Sequence, residues 1–383
     1  MKILHCCLAA FYIDNFGYQE NILPKMHKLQ GHEVKILAST ETYIENSLDY
    51  IQPCSYINND QIEVIRIPYA NWLPLKIVKK LRIYNGISDT LESFNPDIIF
   101  LHDCQFIGIK EIAAYAKKHT NTRIYVDGHT DFINSAKTWI SKNILHKIIY
   151  KWCVKKISPY TKKFYGTLPL RVEFFKNIYH TPPEKTELLQ LGIDDTQVDF
   201  SQKEVIRKVI RKELKLSDND FVIITGGKID RRKNIHHLIK VVNEIKNDNI
   251  KLIVFGTPTP DMKDEIRNLL DSPAIRYLGW VPSEKVYNYF FAGDLAFFPG
   301  THSVLWEQAV GIGLPCIFKK WEGIQHIDIG GNCLFINSND EIKDNILALY
   351  QNKSQLALMK QIAMEKGVNQ FSYYEIAKKA IEE

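Results

Sequence analysis

No apolar run in this 383-residue chain approaches the roughly 20 residues that a helix needs to cross a bilayer. Metal ligands are equally scarce. The seven cysteines (Cys6, Cys7, Cys54, Cys104, Cys153, Cys316, Cys333) are odd in number, and none joins another cysteine or a histidine at metal-binding spacing. Several sit in apolar runs, where a thiol behaves as a small hydrophobe. This usage implies a reduced, cytosolic protein without structural zinc. No Asp-x-Asp motif follows a strand-like run, so no metal is implied for chemistry, and Asp194-Asp195 reads as part of a connection. A nicotinamide dehydrogenase is not expected, because the loop Asp14–Gln19 carries one glycine where the dinucleotide fingerprint needs three. The start Met1–Ala10 is apolar but short and broken by His5, so it reads as a first strand and not as a leader. The net charge of +5 is mild, and no nucleic-acid-binding motif accompanies it, so nucleic acid is not expected as a partner.

What is present is alternation. Short apolar runs at Lys2–Ala9, Glu33–Ser39, Glu63–Pro68, Asp97–His102 and Arg123–Asp127 read as strands, with a helix at Tyr18–Leu29 stopped by Gly31. The second half repeats the plan with strands at Asp220–Thr225, Lys251–Phe255, Ile275–Leu278, Leu295–Phe298, Pro315–Phe318 and Cys333–Ile336. Helices are expected at Asn234–Lys246, Pro260–Leu270 and Tyr373–Glu383. Strands separated by helices build parallel sheets covered on both faces. The chain therefore reads as α/β, with two doubly wound, Rossmann-like domains in series. One spans 1–185, with a C-terminal helix at 370–383 expected to pack back on it, and the other spans 195–369. Ligands of such sheets bind beyond the carboxyl ends of the strands.

Two stretches follow strands and open helices. In Thr225-Gly226-Gly227-Lys228-Ile229-Asp230-Arg231-Arg232-Lys233-Asn234, the glycines admit a ligand close to the backbone and the cations crowd positive charge, which suits a diphosphate. In Phe297–Ala309, backbone NH groups near Ser303, Val304 and Leu305 are placed to receive phosphate, and the Glu307 carboxylate can accept two sugar hydroxyls. His129, flanked by Asp127 and Asp131, follows the fifth strand of the first half. His102 and Asp103 follow the fourth.

The order of these pieces resembles the retaining glycosyltransferases of family 4, the group 1 type with the GT-B fold. The resemblance runs from Phe16-Gly17-Tyr18-Gln19-Glu20 through Leu191-Gly192-Ile193-Asp194 to Gly311-Ile312-Gly313-Leu314-Pro315. It implies two domains facing across a cleft, a nucleotide-diphosphate sugar donor (UDP first, GDP second) and transfer with retention, without metal or other cofactor. Residue by residue, it gives the donor diphosphate to Lys228 and Lys233, the nucleotide ribose to Glu307, and the neighbourhood of the donor sugar to His129 and Gly17. Donor contacts are expected at Gly227, His302, Ser303, Val304 and Leu305, and acceptor-side contacts at Tyr18, Gln19, His102 and Asp103. The family's first Glu, eight positions before Glu307, is Pro299 here, and His302 or Ser303 is left to fill that space.

The acceptor is sought in a charge pattern. From Phe132 to Val172 there is no acidic residue, while Lys137, Lys142, Lys147, Lys151, Lys155, Lys156, Lys162, Lys163 and Arg171 interleave with Trp139, Ile144, Ile148, Ile149, Tyr150 and Trp152. The stretch 72–82 is similar. Basic aromatic helices lie on anionic membranes. Peripheral contact through 72–82 and 137–171 at the inner face of the cell membrane is therefore expected, with a glycan or lipid-diphosphate-linked acceptor in surface polysaccharide synthesis. A GT-B epimerase of nucleotide sugars and an inactive sugar-nucleotide-binding scaffold are the alternatives.

Overall fold

A computed structural model describes residues 1–44, 47–131, 135, 138–139 and 141–382. Lys137 of the basic stretch and Glu383 of the terminal helix lie outside the described residues. The chain divides into two units, Met1–Gln190 with Ile376–Glu383, and Leu191–Glu375. The breaks expected from sequence stood at 185–195 and 370.

In the first unit the strands are β1 (Lys2–Cys7), β2 (Glu33–Ser39), β3 (Glu41–Ile44), β4 (Ser47–Tyr50), β5 (Cys54–Ile57), β6 (Glu63–Ile67), β7 (Ile98–His102), β8 (Arg123–Gly128), β9 (Thr161–Gly166) and β10 (Thr186–Leu188). Eight form one sheet in the order β10-β9-β8-β7-β1-β2-β6-β5, while β3 and β4 make a separate hairpin. All pairings in the large sheet are parallel except β5 with β6. The central strands read as continuous apolar runs because helices cover both faces. Every residue of β7 is buried, and Ile98, Ile99, Phe100 and Leu101 are wholly inaccessible.

The strands β9 and β10 escape the sequence pattern because β9 opens on polar residues and β10 is a three-residue strand at the sheet's edge. β9 begins Thr161-Lys162-Lys163. This corrects the picture of one basic stretch of helices up to Arg171. Lys162 and Lys163 are strand residues, Lys163 pairs with Glu187 at 3.2 Å, and Arg171 reaches Asp131 at 3.3 Å. Among the described residues of this stretch, helical turns cover Ser141–Tyr150, Lys151–Ile157 and Ser158–Tyr160, and Arg171 lies in the separate short helix Pro169–Phe174.

The second unit contains β11 (Phe221–Gly226), β12 (Ile250–Phe255), β13 (Ile275–Tyr277), β14 (Leu295–Phe298), β15 (Cys316–Lys319) and β16 (Cys333–Ile336). They form one wholly parallel sheet in the order β13-β12-β11-β14-β15-β16. In each unit the chain starts in the middle of the sheet, winds outward on one side, and returns next to its starting strand. The order therefore reverses between β1 and β7 in the first unit and between β11 and β14 in the second. Crevices open at such reversals, beyond the carboxyl ends of the strands.

Candidate functional site

In the second unit, the loops after β11 and β14 meet at the reversal. The chain leaves Gly226 through Gly227, whose φ of +107° favours glycine. The neighbouring strand β12 ends at Gly256 (φ +119°), where a Cβ would fall 1.8 Å from the Gly227 carbonyl oxygen. The two turns are thus packed backbone to backbone. Gly300 packs the same way: a Cβ there would lie 2.3 Å from the Lys233 carbonyl carbon. The Thr301 NH donates to the Arg232 carbonyl at 2.9 Å, and the Asn234 side-chain amide donates to the Pro299 carbonyl at 3.1 Å.

Within this frame Asp230 caps the turn Arg231–Lys233. Its carboxylate accepts from the NH groups of Arg232 and Lys233, and also from the Arg232 guanidinium at 2.7 Å. Lys233 is half-buried and donates to the carbonyls of Thr301 (2.8 Å) and His302 (2.6 Å). Burial pushes its pKa down to about 8, with Asp230 opposing the shift and Arg232 adding to it. Lys228, by contrast, is exposed. Gly227 lies 4.0 Å from the Ser303 hydroxyl and 3.3 Å from Leu305 Cδ1, both measured from its Cβ position. The expected donor residues Gly227, Lys228, Lys233, His302, Ser303, Val304 and Leu305 therefore come from two adjoining loops.

Glu307 stands apart from the picture drawn from sequence. It is wholly buried in the helix Leu305–Gly311 and not at a surface. His302 Nε2 lies 2.8 and 3.0 Å from its two oxygens, and His326 Nε2 lies 3.0 Å from one of them. A carboxylate only accepts, so both imidazoles present Nε2–H to it. Burial would raise the carboxyl's pKa, but the two histidines prevail and hold it at about 2. His326 was not foreseen. Nothing in its spacing from Glu307 marks it, since it arrives on the turn Gln325–Ile327 after β15.

In the first unit, the reversal between β1 and β7 is lined differently. Arg66, buried under the loop after β1, donates to the carbonyls of Tyr12, Ser39 and Glu41 and to Asp14 at 3.3 Å, which fixes that loop. Beyond it lie half-buried Gly17, exposed Tyr18 and the helix Gln19–Leu29. Gln19 is 2% exposed, and neither atom of its amide has a partner among the described residues. An unpaired buried amide costs about 1–3 kcal/mol, so Gln19 is a candidate for a ligand contact. His129 follows β8, with its Nε2 3.6 Å from Asp127 Oδ1 and 3.9 Å from Glu20 Oε1. Burial would lower its pKa, but Glu20 and Asp127 raise it to about 9 against the opposing Arg171. The two carboxylates therefore favour the protonated imidazole, which donates hydrogen bonds. Asp103 adopts φ +66° and accepts from the Thr130 hydroxyl at 3.2 Å, and burial raises its pKa.

His102 corrects the acceptor-side expectation. It is wholly buried, and both ring nitrogens are engaged, Nδ1 with Asp127 at 2.8 Å and Nε2 with His5 at 3.0 Å. It cannot touch an acceptor. Among the described residues no group of His, Cys, Asp and Glu could hold a metal ion.

Three comparisons bear on this geometry. Residues 206–366 match the family described as glycosyl transferases group 1. The chain is 22% identical over 177 residues to an uncharacterized glycosyltransferase of Methanocaldococcus jannaschii, and this spans 43% of the chain and 45% of that relative's length. It is 23% identical over 323 residues to the alpha-monoglucosyldiacylglycerol synthase of Acholeplasma laidlawii, covering 78% of each. Among solved structures, Anabaena HepE in complex with UDP superposes with a TM-score of 0.69 at 14% identity, over 99% of this chain and 98% of that one. At that identity the likeness shows the fold, which is GT-B as the sequence implied.

Proposed function

We propose, for a GT-B chain whose residues 206–366 match the group 1 glycosyltransferase family, an enzyme that moves a sugar, with retained configuration, from a nucleotide-diphosphate donor to a lipid-linked or glycan acceptor at a membrane surface. UDP-sugars are the favoured donors. The observation that carries this reading is the junction of the β11 and β14 loops, where Gly227, Lys233 and Ser303 converge at the sheet's reversal. Exposed Lys228 and half-buried Lys233 bring positive charge to that junction, as a diphosphate requires. Lys228 and Lys233 offset the charge that grows on the leaving diphosphate, and no metal is needed for that role. His129 donates a hydrogen bond near the sugar or its phosphate, and the unpaired amide of Gln19 meets a hydroxyl. The protein's contribution is positioning and charge stabilisation, and the diphosphate takes the acceptor's proton.

Thermal unfolding in the presence of UDP, GDP and ADP, first without metal, tests the donor site. UDP should raise the midpoint selectively, and no rise with any of the three would remove the diphosphate assignment. The anomeric configuration of the product, read by NMR, tests retention. Pro299 in place of an acidic residue favours one second reading, a binding subunit without turnover. Donor consumption that depends on acceptor excludes it, and consumption without acceptor would point to an epimerase.

Support for the membrane surface comes from side chains left in solvent. Trp139 (71%), Ile148 (62%), Ile144 and Trp152 are exposed beside the exposed Lys147, Lys155 and Lys156, and Trp72 (65%), Leu75 and Ile77 accompany Lys76 and Lys80. Ile149 and Tyr150 turn inward to the core and take no part. Each lysine near an anionic surface contributes about 1 kcal/mol. The double variant Lys147→Gln/Lys155→Gln should therefore bind phosphatidylglycerol vesicles roughly 30-fold more weakly in co-sedimentation. Equal binding by the variant and the wild type would remove the membrane role from this face.

A further inference from the structure

Three histidines that the proposed chemistry does not use lie end to end in the core of the first unit. His27 Nε2 is 2.8 Å from the Ala377 carbonyl oxygen on the C-terminal segment. His27 Nδ1 is 2.9 Å from His5 Nε2, His5 Nδ1 is 3.0 Å from His102 Nε2, and His102 Nδ1 is 2.8 Å from Asp127 Oδ2. All three imidazoles and Asp127 are wholly inaccessible to solvent. The line continues past Asp127, whose other oxygen accepts from the Asp103 NH at 3.2 Å and faces His129.

We infer that His5, His27 and His102 form a directional proton chain, anchored on the Ala377 carbonyl, that shares one proton with Asp127 and thereby positions that carboxylate against His129 and tempers the negative charge it presents there.

The argument is a proton count. Four consecutive hydrogen bonds require four protons, and three neutral imidazoles supply three. Both ends of the chain are acceptors, a carbonyl and a carboxyl group, so no arrangement of tautomers alone satisfies it. Leaving two ring nitrogens facing each other without a proton would cost a buried, unmade hydrogen bond. One further proton must be present, in the bond between His102 and Asp127, and the cluster is then neutral overall. The Ala377 carbonyl can only accept, so it sets the direction of every bond. His27 donates from Nε2, His5 donates from Nε2 to His27, and His102 donates from Nε2 to His5 and from Nδ1 to Asp127.

Where the fourth proton rests follows from the surroundings. Burial, reinforced by the neighbouring imidazoles, drives His5 well below the ordinary histidine value. Burial likewise drives His27 to about 3, although the Ala377 carbonyl opposes the shift. Asp127 is held below the carboxylate range by His102 and His129, despite burial. The proton therefore lies at the other end of the chain, between His102 Nδ1 and Asp127 Oδ2. Around this pair stand Phe100 and His5 on one side and the Asp103 NH on the other. Around His129 stand Glu20, Asp103 and Arg171, which act on its charge in opposite directions. His5, His27 and His102 are positioning residues, since none reaches a ligand. The use of His129 toward a donor rests on the function proposed above, whereas the proton count does not.

The imidazole nitrogens of the full chain, observed by ¹⁵N–¹H NMR between pH 6 and 9, test the inference without substrate. His5 and His27 should be neutral and protonated at Nε2 throughout, and a proton should lie between His102 Nδ1 and Asp127 Oδ2. An Nδ1-protonated His5 or His27, or a His102–Asp127 pair without that proton, would overturn it. His102→Asn keeps a donor at the Nδ1 position and removes the shared proton. Asp127 then stands uncompensated, and the titration midpoint of His129 should rise by about one pH unit. An unmoved midpoint in folded variant protein would equally overturn the inference. Loss of sugar transfer with these readouts intact would count against the proposed function alone.

Discussion

Replacing Lys233 with alanine should slow sugar transfer roughly 10²–10³-fold, the usual cost of deleting one preorganised donor to developing charge. Its ammonium has three hydrogens, and two already serve the carbonyls of Thr301 and His302. The third is available to a phosphate oxygen, and the first two hold the β14 loop against the β11 loop where that phosphate would sit. The residue thus acts on the site both through charge and through shape. Lys228→Ala separates the two effects. Lys228 is exposed, so its loss should weaken UDP binding by charge alone and leave the unfolding midpoint in place. Lys233→Ala should weaken binding and lower the midpoint together. Calorimetry showing wild-type UDP affinity for Lys233→Ala would defeat the assignment.

The same residue sets a pH dependence. Burial holds Lys233 at about 8 in the folded chain, against about 10.4 when unfolded. Between these values the unfolded chain binds more protons, so this group's contribution to stability becomes more favourable as pH rises through the window. Affinity for a diphosphate runs the other way, because it needs the ammonium. UDP affinity measured from pH 7 to 9.5 should therefore fall above about pH 8, and the fall should be absent in Lys233→Ala.

The sequence carried the central strands of both sheets, because β1, β2, β7, β8, β11, β12 and β14 are buried on both faces and have no polar alternation to obscure them. It missed β9, which opens Thr161-Lys162-Lys163, and the three-residue edge strand β10. It also missed the β3–β4 hairpin, which lies off both large sheets. For the site, Gly227, Lys233 and Ser303 were legible as loop residues after strands. Their convergence was not, since it depends on Gly300 packing against the Arg232–Lys233 backbone across nearly 70 positions of chain. The partners of buried charges were the least legible. His102 beside Asp103 reads locally as a polar strand end. Only β1 and the helix Gln19–Leu29 reveal that its other nitrogen meets His5 and, through it, His27. Glu307 reads as a helix-start carboxylate until His326 arrives from the next crossover.

That enclosure makes Glu307 the position of largest expected cost. Glu307→Ala removes a buried anion from between two imidazole donors and strands both Nε2–H groups, and breaking a buried pair by deleting one partner costs about 3–5 kcal/mol. Urea unfolding should show a loss of that size. Glu307→Gln preserves the volume, but its one carbonyl oxygen cannot serve both histidines, and its NH₂ opposes the other donor. It should fold with a smaller penalty. The pH dependence distinguishes charge from packing. The folded pKa of about 2 lies below the unfolded value of about 4.3, so the carboxylate's contribution is complete above pH 4.3 and is lost as pH falls toward 2. In Glu307→Gln that acid limb should flatten. Glu307 also shapes the donor site through His302, whose carbonyl accepts from Lys233 while its ring holds the carboxylate. If the carboxylate contributes to nucleotide binding, directly at the ribose or through His302, folded Glu307→Gln should bind UDP at least tenfold more weakly. Wild-type affinity in that variant would reduce Glu307 to a structural anchor and leave the ribose to other groups.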